Sequence, residues 1–238
     1  MQAASRSTAR GNTLLRNLTM AAGLGWSVAF VIVALVYELQ IYADGSMFSY
    51  AVAVQDVWAF HWHNIAHRMS VFFLALWPAE AFVGLTGRPQ AGIIVYGLLF
   101  NIAPLIGLAW TFIADRSRNR VIFVFACGST ALLCPLVFGF PTEMWMAHAL
   151  FWPALALAHY ARPGVRGAAA LSIAMVALVL THEGGAVFAI VIVTTLALHG
   201  FRHPLFLRAA IIVFGALALW IIVKMAYPPG AYLSLIHI

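Results

Sequence analysis

The stretch AGIIVYGLLFNIAPLIGLAWTFIA, residues Ala91–Ala114, decides the fold class of this chain. It contains no charged residue, and it is long enough to cross the hydrocarbon layer of a bilayer, which requires about 20 residues of helix. Similar apolar runs occupy Met20–Tyr37, Val121–Phe140 and Ala209–Val223. Several such runs in one chain indicate a polytopic helical membrane protein.

Composition supports this class. Hydrophobic residues make up 64% of the sequence and charged residues 8%, and the mean hydropathy is +0.96. A soluble domain is about a quarter charged, so a water-soluble globular protein is excluded. The net charge of +6 does not indicate nucleic-acid binding, because no recognition module is visible. We expect the lipid bilayer as partner and no nucleic acid.

The patterns predict an all-α transmembrane bundle of about seven to nine membrane helices, with an interfacial helical loop after the first. Residues 1–17 are expected to form a flexible cytoplasmic tail and residues 18–230 a single transmembrane domain. Residues 231–238 read as a non-native or disordered tail, so we expect a C-terminally truncated fragment of a longer protein. The predicted helices are about Leu18–Leu39, Met69–Leu85, Ala91–Ala114, Val121–Phe140, Glu143–Tyr160, Val165–Thr181, Gly185–Leu198 and Leu205–Tyr227.

Acidic and basic breaks between the apolar runs alternate along the chain. The acidic breaks contain Asp44, Glu143 and Glu183, and the basic breaks contain Arg6/Arg10/Arg16, Arg116/Arg118/Arg120, Arg162/Arg166 and Arg202/Arg208. A chain that crosses a membrane back and forth produces this alternation when its arginines stay cytoplasmic. We therefore predict a bacterial inner-membrane protein with a cytoplasmic N-terminus and its three carboxylates at the extracytoplasmic face.

The break at Arg116 conflicts with this orientation, because three predicted helices precede it. Either Ser46–Trp62 forms an additional crossing, or Met69–Leu85 is re-entrant or interfacial. The third alternative is that the arginine rule, a statistical tendency, fails at this loop. We expect Asp44 on the same side as Glu143.

The three acidic breaks have both structural and functional interpretations. Asp44 precedes Gly45 in a tight turn and could cap the next helix. Glu143 follows the apparent N-cap residue Thr142, where the helix dipole favours an anion. The pair His182/Glu183 joins two short spans at or below the headgroup level, where ionisable residues usually serve a function.

A histidine-rich segment precedes the second predicted helix. His63 and His67 are four residues apart, a feasible spacing for two metal ligands on one helical face, although this signal alone is weak. Arg68 could bind a phosphate through two parallel hydrogen bonds, or its side chain could extend to the lipid headgroups. No cofactor is predicted, since neither GxGxxG nor GxxxxGK[ST] occurs; a divalent metal has no support beyond the two histidines.

The layout resembles the GT-C class of integral membrane glycosyltransferases. Tyr42–Gly45 places an acid in the first loop after a signal-anchor helix, and Phe48–Arg68 corresponds to the juxtamembrane helices of that class. The resemblance implies sugar transfer from a polyprenyl-phosphate donor, with Asp44 as the catalytic base and Arg68 as the partner of the donor phosphate. It also implies an acceptor or supporting polar site, to which we assign Glu143, His182 and Glu183.

Two other functions fit the sequence. A proton- or ion-coupled transporter could use the acids and the helix break at Gly184–Gly185. Against this alternative, no inverted repeat is visible and the acids lie at span ends. A non-catalytic membrane protein is the third possibility.

Overall fold

The computed structural model describes the backbone of residues 2–136 and 142–228, with the side chains of residues 2–11, 64 and 134–136 left out. Within these residues every regular element is helical, which confirms the all-α class. The helices are α1 (Gln2–Val36), α2 (Asp44–Val54), α3 (Val57–Ile65), α4 (Ala66–Thr86), α5 (Pro89–Ala114), α6 (Val121–Leu136), α7 (Glu143–Tyr160), α8 (Val165–Val179), α9 (Glu183–Ala197) and α10 (Pro204–Ala226).

Four segments of the described chain are helical, long and apolar enough to cross a membrane. They are Asn12–Val36, Ala66–Thr86, Pro89–Ala114 and Pro204–Ala226. Three further helices, α6, α8 and α9, are apolar but shorter. The lengths and hydropathy of these helices are therefore typical of a membrane protein. The number of seven to nine membrane helices stays a prediction.

The ends of the helices follow local sequence chemistry. Gly87 ends α4 in the left-handed conformation (φ 65°), which glycine adopts without a steric penalty. Pro89 then begins α5, where its missing N–H costs no hydrogen bond. Glu38 is also left-handed (φ 53°), so α1 stops at Val36, three residues before the predicted end.

Two terminal predictions have different outcomes. Helix α1 begins at Gln2, so the segment predicted as a flexible tail (residues 1–17) is helical from its second residue. The predicted tail at residues 231–238 lies outside the described residues, as do residues 137–141 at the end of the predicted helix Val121–Phe140.

Glycines allow the long helices to approach closely. A Cβ atom on Gly23 of α1 would lie 2.5 Å from the Cα atom of Cys127 in α6. A Cβ atom on Gly107 of α5 would lie 2.4 Å from the carbonyl oxygen of Ala149 in α7. Small residues at helix contacts are the usual means of packing helices in membranes, where lipid provides no hydrophobic drive for association.

Helices α1 and α5 are antiparallel neighbours. Leu105 of α5 lines one groove with Leu24 in the middle of α1. Gly97, near the start of α5, packs against Gln40, which follows the end of α1. Residues 37–88, which connect α1 to α5, therefore start and finish at the same end of the bundle. Trp145 of α7 contacts Phe30 of α1 with ring centroids 5.3 Å apart, so α7 begins near this end too.

We call this end the acidic end, because Asp44, Glu143 and Glu183 all lie there. The opposite end, where α5 finishes and α6 begins, is called the arginine end after Arg116, Arg118 and Arg120.

Helix α4 lies within the half of the bundle next to the acidic end. Its Val83 contacts Gly92 near the start of α5, and its first turn reaches Glu143. Its buried face, from Val71 to Val83, packs with Tyr96 and Phe100 in one hydrophobic cluster. Although α4 is long enough to cross a membrane, it begins and ends in the same half. This geometry agrees with the alternative in which the second predicted helix is re-entrant or interfacial.

Candidate functional site

Arg68 connects two carboxylates that are distant in the sequence. Its Nη1 donates to Glu143 Oε1 and its Nη2 donates to Glu183 Oε2, each over 2.8 Å. The side chains of Arg68 and Glu143 are 11% and 4% exposed, whereas that of Glu183 is 34% exposed. Glu183 is therefore the member of this ion network that is most open to its surroundings.

Helix ends bring the two carboxylates to this place. Glu143 is the first residue of α7 and Glu183 the first of α9, so each lies where the helix dipole favours a negative charge. Thr142 is the N-cap of α7 as expected, but its side chain makes no capping hydrogen bond. Gly184 leaves space for Met144, and Gly185 packs directly on the carbonyl oxygen of Leu178. The predicted Gly-Gly break thus allows the start of α9 to lie close to α7 and α8.

Two histidines flank Glu183. The Nε2 atom of His67, a residue that is 2% exposed, lies 2.6 Å from Glu183 Oε1. The Nδ1 atom of His182 accepts a hydrogen bond from the backbone N–H of Gly184, and its Nε2 atom lies 3.7 Å from Glu183 Oε2. Burial, followed by the nearby charge of Arg68, lowers the pKa of His182, so this imidazole is neutral at pH 7.

The backbone of the first turn of α4 is anchored on both sides. His61 Nε2 lies 3.1 Å from the carbonyl oxygen of Arg68, and the N–H of Ser70 donates to the carbonyl oxygen of Leu180. Burial lowers the pKa of His61 to about 4, so the neutral ring donates this hydrogen bond at pH 7. These contacts fix the position from which the Arg68 side chain extends.

Asp44 lies at the same end but outside the ion network. It is the first residue of α2, and its side chain is exposed. Among the described residues it makes no hydrogen bond or ion pair with the network. Tyr96 is within electrostatic range of both Asp44 and Glu143, so both carboxylates lie near one buried ring.

The sequence-predicted residues thus separate into two groups. The structure brings together Arg68, Glu143, His182 and Glu183, and it leaves Asp44 apart from them. It also changes the expectation for Arg68, because both terminal nitrogens of its guanidinium already donate to carboxylates. As described, Arg68 is not a free phosphate-binding group.

The two weak candidates for metal ligands, His63 and His67, do not share one helical face. Helix α3 ends at Ile65, so His63 belongs to its last turn and His67 to the separate turn that begins α4. His63 is exposed, whereas His67 is buried against Glu183. Within residues 2–136 and 142–228, apart from the omitted side chains, no three His, Cys, Asp or Glu residues are grouped so that they could hold a metal ion.

The sequence interpretation overlooked two residues at this end. His67, by its spacing from His63 only a weak candidate for a metal ligand, pairs with a carboxylate 116 residues away. Tyr96 carries no prediction from the sequence. It is fully buried within α5, and its hydroxyl has no hydrogen-bond partner among the described residues. A polar aromatic residue in the interior of an apolar span was the available signal for Tyr96.

The network can accept protons or bind hydrogen-bond donors. It contains one guanidinium and two carboxylates, and the Nε2 atoms of His67 and His182 lie 2.6 Å and 3.7 Å from the Glu183 carboxylate. Comparisons with known proteins do not add to this chemistry. No family model, curated protein or solved structure matches the chain.

Proposed function

We propose that the chain is an integral membrane glycosyltransferase of the GT-C type, which transfers a sugar from a polyprenyl-phosphate donor at the extracytoplasmic face. The observation that carries this proposal is the gathering of Asp44 and the Arg68 network at the end of the bundle opposite the arginine end. The two short helices α2 and α3, which directly follow α1, agree with the layout that suggested this class.

The proposed orientation places the acidic end outside the cytoplasm. If α4 is re-entrant, α1 crosses outward and α5 crosses back, so Arg116, Arg118 and Arg120 become cytoplasmic. Helices α6 to α10 then cross in alternation, which gives seven crossing helices. All arginine-bearing turns after α5 lie on the cytoplasmic side, as the arginine rule requires. The N-terminus is also cytoplasmic, in the inner membrane of a bacterium.

The residues have distinct roles in this proposal. Asp44, whose carboxylate is exposed, accepts the proton of the attacking hydroxyl at hydrogen-bond distance. The donor phosphate replaces Glu183 on Arg68 Nη2, because Glu183 is the more exposed of the two carboxylate partners. Displaced Glu183 keeps its bond to His67, and with His182 it binds hydroxyls of the acceptor. Glu143 remains buried and holds Arg68 in place.

Sugar transfer in proteoliposomes tests this proposal. The assay offers polyprenyl-phosphate hexoses and pentoses and measures release of polyprenyl phosphate. We expect Asp44→Asn to lower the rate by about 10²–10⁴-fold, the usual contribution of a general base. Asp56→Asn is the matched control, because Asp56 is an exposed acid on the same connection and should be dispensable. Transfer by Asp44→Asn at the wild-type rate would remove Asp44 from the mechanism.

A proton-coupled transporter is the second candidate, and the excess carboxylate of the Arg68 network favours it. Buried acids with partly neutralised charge are typical of proton relays in membranes. Single cysteines at positions 44 and 183, in a variant without Cys127 and Cys134, discriminate between the two functions. Labelling from one side of the membrane supports the enzyme. Access to position 183 that alternates between sides during substrate addition supports transport.

A further inference from the structure

An apolar groove lies on the outside of the bundle between α1 and α5. Its volume is about 480 Å³, within the range of small-molecule sites. Leu24 of α1 and Leu105, Ala109 and Phe112 of α5 line its sides, and Phe123 of α6, which is 6% exposed, forms its floor. All of its lining residues are apolar. We call this groove the α1/α5 groove.

The α1/α5 groove ends at the arginine end of the bundle. Phe112 lies in the last turn of α5, which finishes at Ala114, and Phe123 lies in the first turn of α6. The turn formed by residues 115–120 joins these two helices. An apolar chain that lies in the groove therefore places its polar end beside this turn.

The guanidinium of Arg120 marks the end of the groove. Its Cζ atom lies 4.6 Å from the centroid of the Phe112 ring. Its Nη1 atom donates to the carbonyl oxygens of Phe112 and Asp115, which fixes the plane of the group. The Nε and Nη2 atoms make no hydrogen bond among the described residues, and they remain accessible. Two donors side by side on a fixed guanidinium match the geometry of a phosphate.

The turn beside the groove carries positive charge that no carboxylate compensates. Arg116 and Arg118 are exposed, and neither they nor Arg120 form an ion pair within the described part of the chain. Asp115 is the one acid of this turn in the sequence. Its side chain is buried, and both of its oxygens accept hydrogen bonds from backbone N–H groups. Basic side chains beside apolar surface at a membrane face attract anionic lipids.

We propose that the α1/α5 groove binds one acyl chain of an anionic phospholipid. The lipid phosphate accepts hydrogen bonds from Nε and Nη2 of Arg120, and Arg116 and Arg118 attract its charge. The apolar lining offers no partner to a headgroup, so the headgroup stays at the turn. A second copy of the protein fits this surface less well, because a two-fold contact between grooves would bring both arginine turns together. This inference goes beyond the proposed sugar transfer, since it concerns the opposite end of the bundle.

Native mass spectrometry of the full chain in detergent micelles tests the headgroup contact. Dioleoyl phosphatidylglycerol and dioleoyl phosphatidylcholine are titrated separately, and the first bound lipid is counted. We expect phosphatidylglycerol to bind about 100-fold more tightly, since each of three arginines contributes about 5-fold. Arg118→Gln should weaken this binding by about 5-fold without affecting folding, because the Arg118 side chain is exposed and unpaired among the described residues. Arg202→Gln is the matched control, because this exposed arginine belongs to another turn and should leave binding unchanged.

A second pair of variants tests the acyl-chain contact. Ala109 is exposed, so Ala109→Phe fills the groove without disturbing the core, and the single tightly bound lipid should be lost. Ile106→Phe is the control, because Ile106 is an exposed residue of the same helix outside the groove.

Four results would overturn the inference. They are equal binding of the two lipids, unchanged phosphatidylglycerol binding in Arg118→Gln or in Ala109→Phe, displacement of the lipid by glycerol phosphate, which has no acyl chain, and a lipid-free dimer that Ala109→Phe dissociates. All of these results are independent of whether the protein transfers sugar.

Discussion

Replacing Arg68 with methionine tests whether the ion network holds the acidic end together. Arg68→Met keeps an unbranched apolar side chain but removes the guanidinium that donates to Glu143 and Glu183. Glu143, whose side chain is 4% exposed, then remains as a buried carboxylate without its cation. Removal of one partner from a buried ion pair costs about 3–5 kcal/mol. Glu183 adds less to this cost, because its side chain is 34% exposed.

Thermal unfolding of the purified protein in detergent measures this cost. For a chain of this size, 1 kcal/mol changes the melting temperature by about 2–4 °C, so Arg68→Met should lower it by roughly 6–20 °C. Arg202→Met is the matched control. Arg202 is an exposed arginine in the break between α9 and α10, and its replacement should leave the melting temperature within about 2 °C, because exposed charges contribute little.

A double-mutant cycle with Glu143→Gln assigns the loss to the pair itself. Glu143→Gln in the Arg68→Met protein removes the unpaired buried charge, so the double variant should recover part of the lost stability. We expect a coupling free energy of about 1–3 kcal/mol between the two residues. An Arg68→Met protein as stable as the wild type, or strictly additive effects in the double variant, would show that Arg68 does not compensate the charge of Glu143.

Three further predictions follow from the fold. Gly107→Ala should lower the free energy of unfolding by about 1–3 kcal/mol, because its Cβ atom would lie 2.4 Å from the Ala149 carbonyl oxygen. Gly215→Ala should raise that free energy slightly, because no atom lies within 4 Å of its Cβ position. Opposite shifts in melting temperature test this prediction. Stability should fall as the pH drops from 6.5 towards 4, since unfolded His61 gains a proton that folded His61, with a pKa of about 4, does not. The free energy of unfolding should fall by about 1.4 kcal/mol per pH unit. A His61→Gln variant with an unchanged pH profile would contradict this prediction. In a cysteine-free background, Leu85→Cys should be labelled from the same side of the membrane as Ser46→Cys, and Ser117→Cys from the other side. Labelling of Leu85→Cys from the side opposite to Ser46→Cys would contradict the placement of the end of α4 at the acidic end.

Much of the fold was predictable because its causes are local. The Ala91–Ala114 run is apolar throughout, and α5 spans Pro89–Ala114 in the structure. The break predicted between Leu85 and Ala91 does separate α4 from α5, because Gly87 and Pro89 act on their own backbone positions. The short helices between Asp44 and Ile65 agree with the expected interfacial loop after the first helix.

The candidate site was predictable only in part. Charged residues are so rare in this chain that Arg68, Glu143 and Glu183 could be selected individually. Their pairing could not be derived, since it depends on where the first turn of α4 lies relative to α7 and α9. The relation between His63 and His67 could not be derived for the same reason. Sequence spacing does not reveal that α3 ends at Ile65 between them.

By itself, the sequence determined the class of this protein and the alternation of acids with arginines, because burial in lipid restricts composition. It also determined most of the helix boundaries, because helices end at local signals. Only the tertiary structure decided that both the first turn of α4 and its Val83 contact residues near the acidic end, and that Arg68 holds two distant carboxylates while Asp44 remains apart. These relations depend on contacts between residues up to 116 positions apart, such as His67 and Glu183. Contacts over that separation leave no periodic pattern in a single sequence.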